Sequence, residues 1–377
     1  MARSTLKRWL PAGAVVALIA GTVTLTSQAG AVDLPDKSPQ DVLALLGQNE
    51  ITAFSGTFET SADLGLPLPA DIDLGPGGPV LDDAEITAPE DGAAGGEAQV
   101  ALSALALLTG DNTGRVFVAG PGTARFQHIE SLGERNVVVT PEDVWFYDSE
   151  TDEALHVVLP DTSGLPDHPQ PDGPLPTPEQ LAGLAVAALE PSTELTVGQD
   201  ERVAGRDAYT LTFTPRAEES LVEALTIAVD GENGFPLAFT VTAEGQAEPA
   251  LHAAYTDIDF SAPDPSLFDF TPPASATVEE EVLELPDEAA LRGKHDGATQ
   301  RPGQDMAAPE VLGEGWATVI ATEVGDVPDD PLLDQLTEPV DGGRVLSTSL
   351  LTVLLTDDGR VLAGAVTPDH LLALAGR

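Results

Sequence analysis

The chain has 377 residues, 63 of them acidic against 16 basic, for a formal net charge of −47, and it contains no cysteine. Such a length leaves room for two domains. The charge repels nucleic acid and anionic lipid headgroups, and the missing thiols exclude a disulfide framework, a cysteine nucleophile and a cysteine-ligated metal.

Residues 1–31 have the layout of an export signal. Arg3, Lys7 and Arg8 form a positive start, residues 10–25 are uncharged and mostly apolar, and Ala29-Gly-Ala31 offers a small-x-small cleavage site before Val32. A helix over residues 10–25 reaches only ~24 Å against a hydrocarbon core of ~30 Å, which favours cleavage over an uncleaved membrane anchor. The protein is therefore expected outside the cytoplasm, secreted or held in the cell envelope.

Ser38 caps a short helix with Pro39 at its first position, and Val42, Leu43, Leu45 and Leu46 give it an apolar face. A strand carrying Phe54 and Phe58 follows. Residues 62–96 are rich in proline, glycine and acid and are expected to form an insertion outside the core. Residues 98–108 are apolar enough for a short buried helix, the alternative being a continuation of the loop. Between residues 114 and 159, five strand candidates recur about every ten residues, the spacing of an antiparallel meander rather than of βαβ units. A proline-rich connection leads to a helix over residues 178–189, with Thr177 as its cap.

The second half is organised around a hairpin. Tyr209, Leu211 and Phe213 alternate with Thr and Ala, and so do Leu225, Ile227 and Val229, then Leu237, Phe239 and Val241. This period of two marks strands with one buried face. Asp230-Gly-Glu-Asn-Gly234 between them tolerates positive φ and closes the hairpin. A further strand spans residues 251–260, and the prolines of Phe268-Asp-Phe-Thr-Pro-Pro273 are expected to end the sheet. A sheet of roughly ten strands must curl, leaving a concave face for helices to cover. The expected fold is α+β and mostly antiparallel β, a strongly curved incomplete barrel with covering helices over residues 32–275. A charged linker, residues 276–309, then leads to a small C-terminal α+β module, residues 310–377. Within it, residues 346–355 read as one strand buried on both faces, Thr356-Asp-Asp-Gly359 as a hairpin turn, and Thr367-Pro368 as the start of a final helix.

Several of these stretches, taken in order, carry a resemblance. Gly114-Arg-Val-Phe-Val-Ala-Gly-Pro-Gly-Thr-Ala-Arg-Phe126, Val144-Trp-Phe-Tyr-Asp148, Tyr209-x-Leu-x-Phe213, Asp230 to Pro236 and Phe268-x-Phe-x-Pro-Pro273 together resemble the periplasmic outer-membrane lipoprotein carriers (LolA-type) and the related sigma-factor regulators (RseB/MucB-type). The likeness covers about residues 35–280, and Pro141-Glu-Asp143 departs from it where carriers often have Asp-Gly. It implies a half-barrel that holds lipid acyl chains beneath a helical lid, with Arg125 at the position of a lid-contacting arginine. The residues expected to line the apolar cavity are Trp145, Tyr147, Tyr209, Leu211, Phe213, Ile227, Phe239 and Tyr255. On burial preferences alone, aromatic residues on strands are more often plain core. The implied function is non-enzymatic binding or carriage of lipid or lipoprotein acyl chains in the bacterial cell envelope. The alternative is a regulator that binds an envelope or anti-sigma partner protein.

No catalytic constellation is legible. The six histidines are scattered, with no H-E-x-x-H pair, no G-x-S-x-G elbow and no P-loop. Asp230-Gly-Glu-Asn lacks the bidentate glutamate of a calcium loop. No catalytic residue, metal or cofactor is expected, and no nucleic-acid partner.

Overall fold

The structure is a computed structural model that describes residues 34–65, 110–129, 133–160, 178–283, 310–325, 333 and 336–376. The export signal, nearly all of the insertion, residues 98–108 and most of the linker lie outside the described residues. The described chain is α+β and mostly antiparallel β.

Helix α1 (Pro39–Gly47) starts where Ser38 and Asp41 form a reciprocal capping box. Strand β1 (Ala53–Ala62) follows. After the insertion, β2 (Gly110–Ala119), β3 (Ala124–Ile129), β4 (Glu134–Val139), β5 (Asp143–Asp148) and β6 (Glu153–Val158) run as an antiparallel meander. Helix α2 (Pro178–Leu189) leads to a second meander of β7 (Thr193–Val197), β8 (Glu201–Val203), β9 (Arg206–Pro215), β10 (Val222–Asp230), β11 (Pro236–Ala243) and β12 (Leu251–Asp259). β12 returns to pair antiparallel with β1 and joins the two meanders into one open sheet. The curl is tight in the second half: β8 hydrogen-bonds only to β9, yet it comes into contact with β12, with β9, β10 and β11 between them in the sheet order.

The sheet does not end at the prolines. Residues 277–282, expected in the linker, form β13 (Thr277–Val282), which pairs parallel with β6 at the sheet edge. The prolines at 272 and 273 lie in the crossover between β12 and β13, where no ladder donor is required. The Glu-rich run could serve as an edge strand because charge at an edge is tolerated and guards against aggregation.

Register and alternation divide the sheet into two faces. On one, Val116, Phe126, Val137, Phe146 and Leu155 form a continuous cross-strand row through β2–β6. All five are buried in a cluster with Phe58 and Tyr255. A single register shift between Thr57 and Phe58 lets β12 present both Ile258 and Tyr255 to the same side of β1. Two glycines make space for large rings there: a Cβ at Gly56 would press on the Tyr255 ring and one at Gly114 on the Phe58 ring. In the second meander Tyr209, Leu211, Phe213 and Val229 pack beneath Val42 of α1.

Among the described residues, the C-terminal module is a six-stranded sheet with an α-helix at its end. It comprises β14 (Glu310–Leu312), β15 (Val319–Glu323), β16 (Glu338–Val340), β17 (Gly343–Ser347), β18 (Thr352–Thr356), β19 (Arg360–Gly364) and α3 (Pro368–Ala375). The single strand expected over residues 346–355 is two strands. The Thr348 hydroxyl accepts from the Leu350 and Leu351 amides and closes a turn between β17 and β18. Hydroxyl turn chemistry thus overrides an apolar run. Gly359 adopts the positive φ that the next hairpin requires. The module meets the main sheet at its strand ends. Leu221 N–H donates to Ala365 O (2.9 Å), Thr367 N–H to Glu219 O (2.9 Å) and Ser349 N–H to Leu64 O (2.8 Å). The Trp316 indole donates to the Thr193 hydroxyl at 2.8 Å.

One glycine ties hairpin to helix. Gly234 has φ +75°, and a Cβ there would run into the carbonyl of Leu45 in α1. Gly205 has nearly the same φ, +76°, but open space around it. Gly234→Ala is therefore expected to cost ~2–3 kcal/mol in urea unfolding and Gly205→Ala only ~1 kcal/mol. Equal losses would show that the close approach to α1 is not felt.

Candidate functional site

On the face covered by α1, the curl leaves an apolar pocket of about 240 Å³. Leu46 reaches it from α1, Phe58 from β1, Ile227 from β10, Leu237 and Phe239 from β11, and Ala253 and Tyr255 from β12. The local sequence explains the arrangement. Ile227 pairs with Phe239, and Phe239 with Ala253, so the period-two alternation of three neighbouring strands stacks their apolar residues on one side. Ala253 is the small member of that row, and its missing bulk contributes to the cavity. Helix α1 is held over the strands by its buried Val42 and by the contact of Leu45 with Gly234.

The lining is chemically plain. Its ten residues carry no charged side chain, and the phenol of Tyr255 is its one side-chain polar group. Burial pushes that phenol well above its ordinary pKa, so it stays neutral at any physiological pH. Such a site accepts an apolar group and offers no general base or nucleophile. Among the described residues, no three metal-ligating side chains come together.

The residues singled out in the sequence fall in three places. Ile227, Phe239 and Tyr255 line the pocket. Tyr209, Leu211 and Phe213 lie beside it as the packed floor under α1, with the Tyr209 hydroxyl donating to Pro35 O at 2.9 Å. Trp145 and Tyr147 are on the opposite face of the sheet, because they alternate with Phe146, which points into the core. Leu46, Phe58 and Leu237 were read in the sequence as apolar residues of a helix and two strands but not as lining, and Ala253 was not singled out. Only the helix register of Leu46 and the bulge between β1 and β12 would have indicated them.

Arg125 also belongs to the opposite face. Register places Arg125, Val138, Trp145, His156 and Glu280 in one row across β3–β6 and β13. The segment from β12 to β13 crosses over this row as a strap. A 3₁₀ turn, Pro265–Phe268, is capped by Asp264 and buries Phe268. Phe270 packs against Trp145 and Tyr147 at 5.7 and 5.8 Å between ring centroids. Arg125 fastens the strap. Its Nη1 donates to Leu267 O at 3.0 Å, while Nε and Nη2 donate to Asn136 Oδ1. Asn136 in turn donates to Glu134 at 2.6 Å. The arginine therefore holds a 3₁₀ strap on the face away from the pocket.

At the end of that row His156 stacks on Trp145 (4.0 Å, 8°) and lies between Asp143 (3.0 Å) and Glu280 (3.4 Å). Burial alone would raise the Asp143 carboxyl, but hydrogen bonds from Thr140 and His156 outweigh it and hold the group below its ordinary range. His128, on the core side, is 6% exposed, and burial lowers its pKa to about 4, helped by the nearby Arg135 charge.

No family model matches the chain, and no curated protein matches it by sequence. Among solved structures it is similar to MucB in complex with the periplasmic part of MucA, at 14% identity and TM-score 0.41, with 89% of this chain and 96% of that one covered. The Pseudomonas aeruginosa MucA/MucB complex gives 14% identity and TM-score 0.40, over 89% of this chain and 95% of that one. A LolA superfamily protein from Nitrosomonas europaea gives 10% identity and TM-score 0.21, over 62% of this chain and 98% of that one.

Two predictions follow from the geometry. Arg125→Leu leaves the Leu267 carbonyl and Asn136 without their donor, and is expected to cost ~1–3 kcal/mol and to speed proteolysis within residues 260–276. Unchanged protease resistance would show that the arginine does not hold the strap. His128 is neutral when folded but titrates near 6.5 when unfolded. The unfolded chain therefore takes up the proton first, and stability falls as pH drops from about 6.5 to about 4. His128→Gln is expected to flatten that limb by ~2–3 kcal/mol in unfolding titrations, and an unchanged limb would assign the loss to other groups.

Proposed function

We propose that this is an extracytoplasmic, non-enzymatic protein that binds the end of a lipid or lipoprotein acyl chain in the pocket beneath α1. The observation that carries the reading is the lining itself, apolar throughout and placed between a helix and three strands. A volume of about 240 Å³ equals roughly eight liquid-water volumes at ~30 Å³ each. On that scale it takes about eight methylenes, not a full chain. At ~0.8 kcal/mol for each buried methylene this supplies ~6 kcal/mol before ordering costs, which supports reversible capture rather than permanent retention. Delivery and release suit that affinity range. The export signal read in residues 1–31 supports the location.

The test is lipid occupancy of the purified protein by extraction and mass spectrometry, joined to titration with a fluorescent fatty acid. Ala253→Leu fills the pocket with apolar atoms and is expected to weaken binding at least about tenfold with melting unchanged or raised. Ile227→Asp places an unpaired charge in the lining and is expected to abolish binding and lower stability. If the unmodified protein carries no lipid and Ala253→Leu binds the probe as well as it does, the acyl reading fails. A protein-binding regulator is then the reading to pursue.

A further inference from the structure

The pocket beneath α1 has a polar edge on the β1 side. Ile227, Phe239 and Ala253 face one another across β10, β11 and β12, and register continues this row to Thr60 of β1. Thr60 therefore stands on the pocket side, next to the alanine whose small side chain leaves space. Its hydroxyl oxygen is buried and has no hydrogen-bond partner among the described residues. Phe58, two residues earlier on the same face, lies opposite Tyr255. Tyr255 lines the pocket and is 9% exposed, and its phenol likewise bonds to no described residue. Burial alone raises its pKa, with no charge or hydrogen bond contributing. The Tyr255 ring leans toward Gly56, where a Cβ would press on Cδ1 and Cε1, so the two hydroxyls lie on either side of Phe58.

Native proteins pair nearly all buried polar groups, because an unpaired hydroxyl gives up its water without replacement. A valine and a phenylalanine would fill the same shapes without that loss. Two such exceptions beside one apolar cavity call for a partner that arrives with the ligand. That partner is neutral. The lining holds no cation to receive a carboxylate, and the chain as a whole, at net −47, repels anions. It must also accept a hydrogen bond and be continuous with hydrocarbon. The carbonyl of an ester- or amide-linked acyl chain meets all three conditions, whereas a plain methyl end and a free carboxylate do not.

We propose that the pocket takes the linkage end of the acyl chain, its ester or amide group recognised by the Thr60 and Tyr255 hydroxyls. The inference rests on the acyl reading of the pocket. It adds which end enters, and that esters and amides are selected over free acids.

The test uses the double variant Thr60→Val, Tyr255→Phe, nearly isosteric at both positions; either single variant decides if the double does not fold. Methyl octanoate, sodium octanoate and n-octane are competed at pH 8 against the methyl ester of a fluorescent fatty acid. Methyl octanoate is expected to bind the unmodified protein at least about tenfold tighter than octanoate. In the double variant the ratio of ester to octane affinity is expected to fall about five- to tenfold, with octane held as well as before. The empty variant is expected to melt at the same or a higher temperature, since it has lost two unpaired hydroxyls. An unchanged ratio, with ester and octane still bound, overturns the proposal and leaves the acyl reading standing. Octanoate bound as tightly as its ester overturns it in favour of a free acid. A lower melting temperature with ester binding unchanged overturns it too, by showing the hydroxyls already paired within the protein. If neither ester nor octane competes, the acyl reading falls and this proposal with it.

Discussion

The structure depends on the pairing of β1 with β12. Ser55 lies opposite Asp259 and Ala62 opposite Leu251, so strands about two hundred residues apart in sequence are hydrogen-bonded neighbours. Without this contact there are two separate meanders, each with an exposed apolar face and two free edges. With it, Phe58 meets Tyr255, and the cluster of Phe54, Phe235, Tyr255 and Phe260 closes at ring separations of 4.9 to 6.1 Å. The pocket exists only because β1 and β12 contribute to one lining. Pairing over such separations must overcome a large loop-closure entropy before any contact rewards it, so it is expected to form late in folding.

Much of the architecture was legible because its signals are local. Alternation at Tyr209, Leu211 and Phe213, turn chemistry at Asp230 to Gly234 and the cap at Ser38 each depend on neighbours within a few residues, and the structure has them where the pattern places them. What was hidden depends on pairing between distant strands. Val278-Glu-Glu-Glu-Val282 carries no strand signal strong enough to outweigh its charge, and only the presence of β6 makes it β13. Trp145 and Phe146 are adjacent in sequence and both aromatic, and nothing local says which one points to the core. The choice is made by the row from Val116 to Leu155, which is visible only once the register is known. In the same way the candidate lining residues had a correct period but no assigned side, and register put Trp145 and Tyr147 on the face opposite Ile227, Phe239 and Tyr255.

The charge imbalance gives the few basic residues distinct positions. Arg125 joins the strap to β3 and β4. Arg206 pairs with Asp230, whose side chain is buried, reaches Glu232, and lies 4.9 Å from the Phe260 ring centroid, joining the hairpin turn to the end of β12. Arg360 pairs with Asp358 and donates to the Ala375 carbonyl at the end of α3. Each of these guanidiniums bridges two elements, and their multiple donors suit that task. Among the described acids only Asp230 is buried, and the others are at least partly exposed, where water and salt screen their repulsion.

β12 connects the two faces of the main sheet. Its middle supplies Ala253 and Tyr255 to the pocket, and its end passes through Phe260 into the strap that Arg125 holds on the other side. A ligand that pressed β12 outward would act on both the pairing with β1 and the course of the strap, because the strand cannot move in one face and stay fixed in the other. The bulge opposite Thr57 and Phe58 is the point where the two demands are reconciled, with Tyr255 and Ile258 brought to the same side by one extra residue. Restoring a regular register there would send either Tyr255 or Ile258 to the strap side. The pocket and the aromatic cluster therefore rest on the same irregularity.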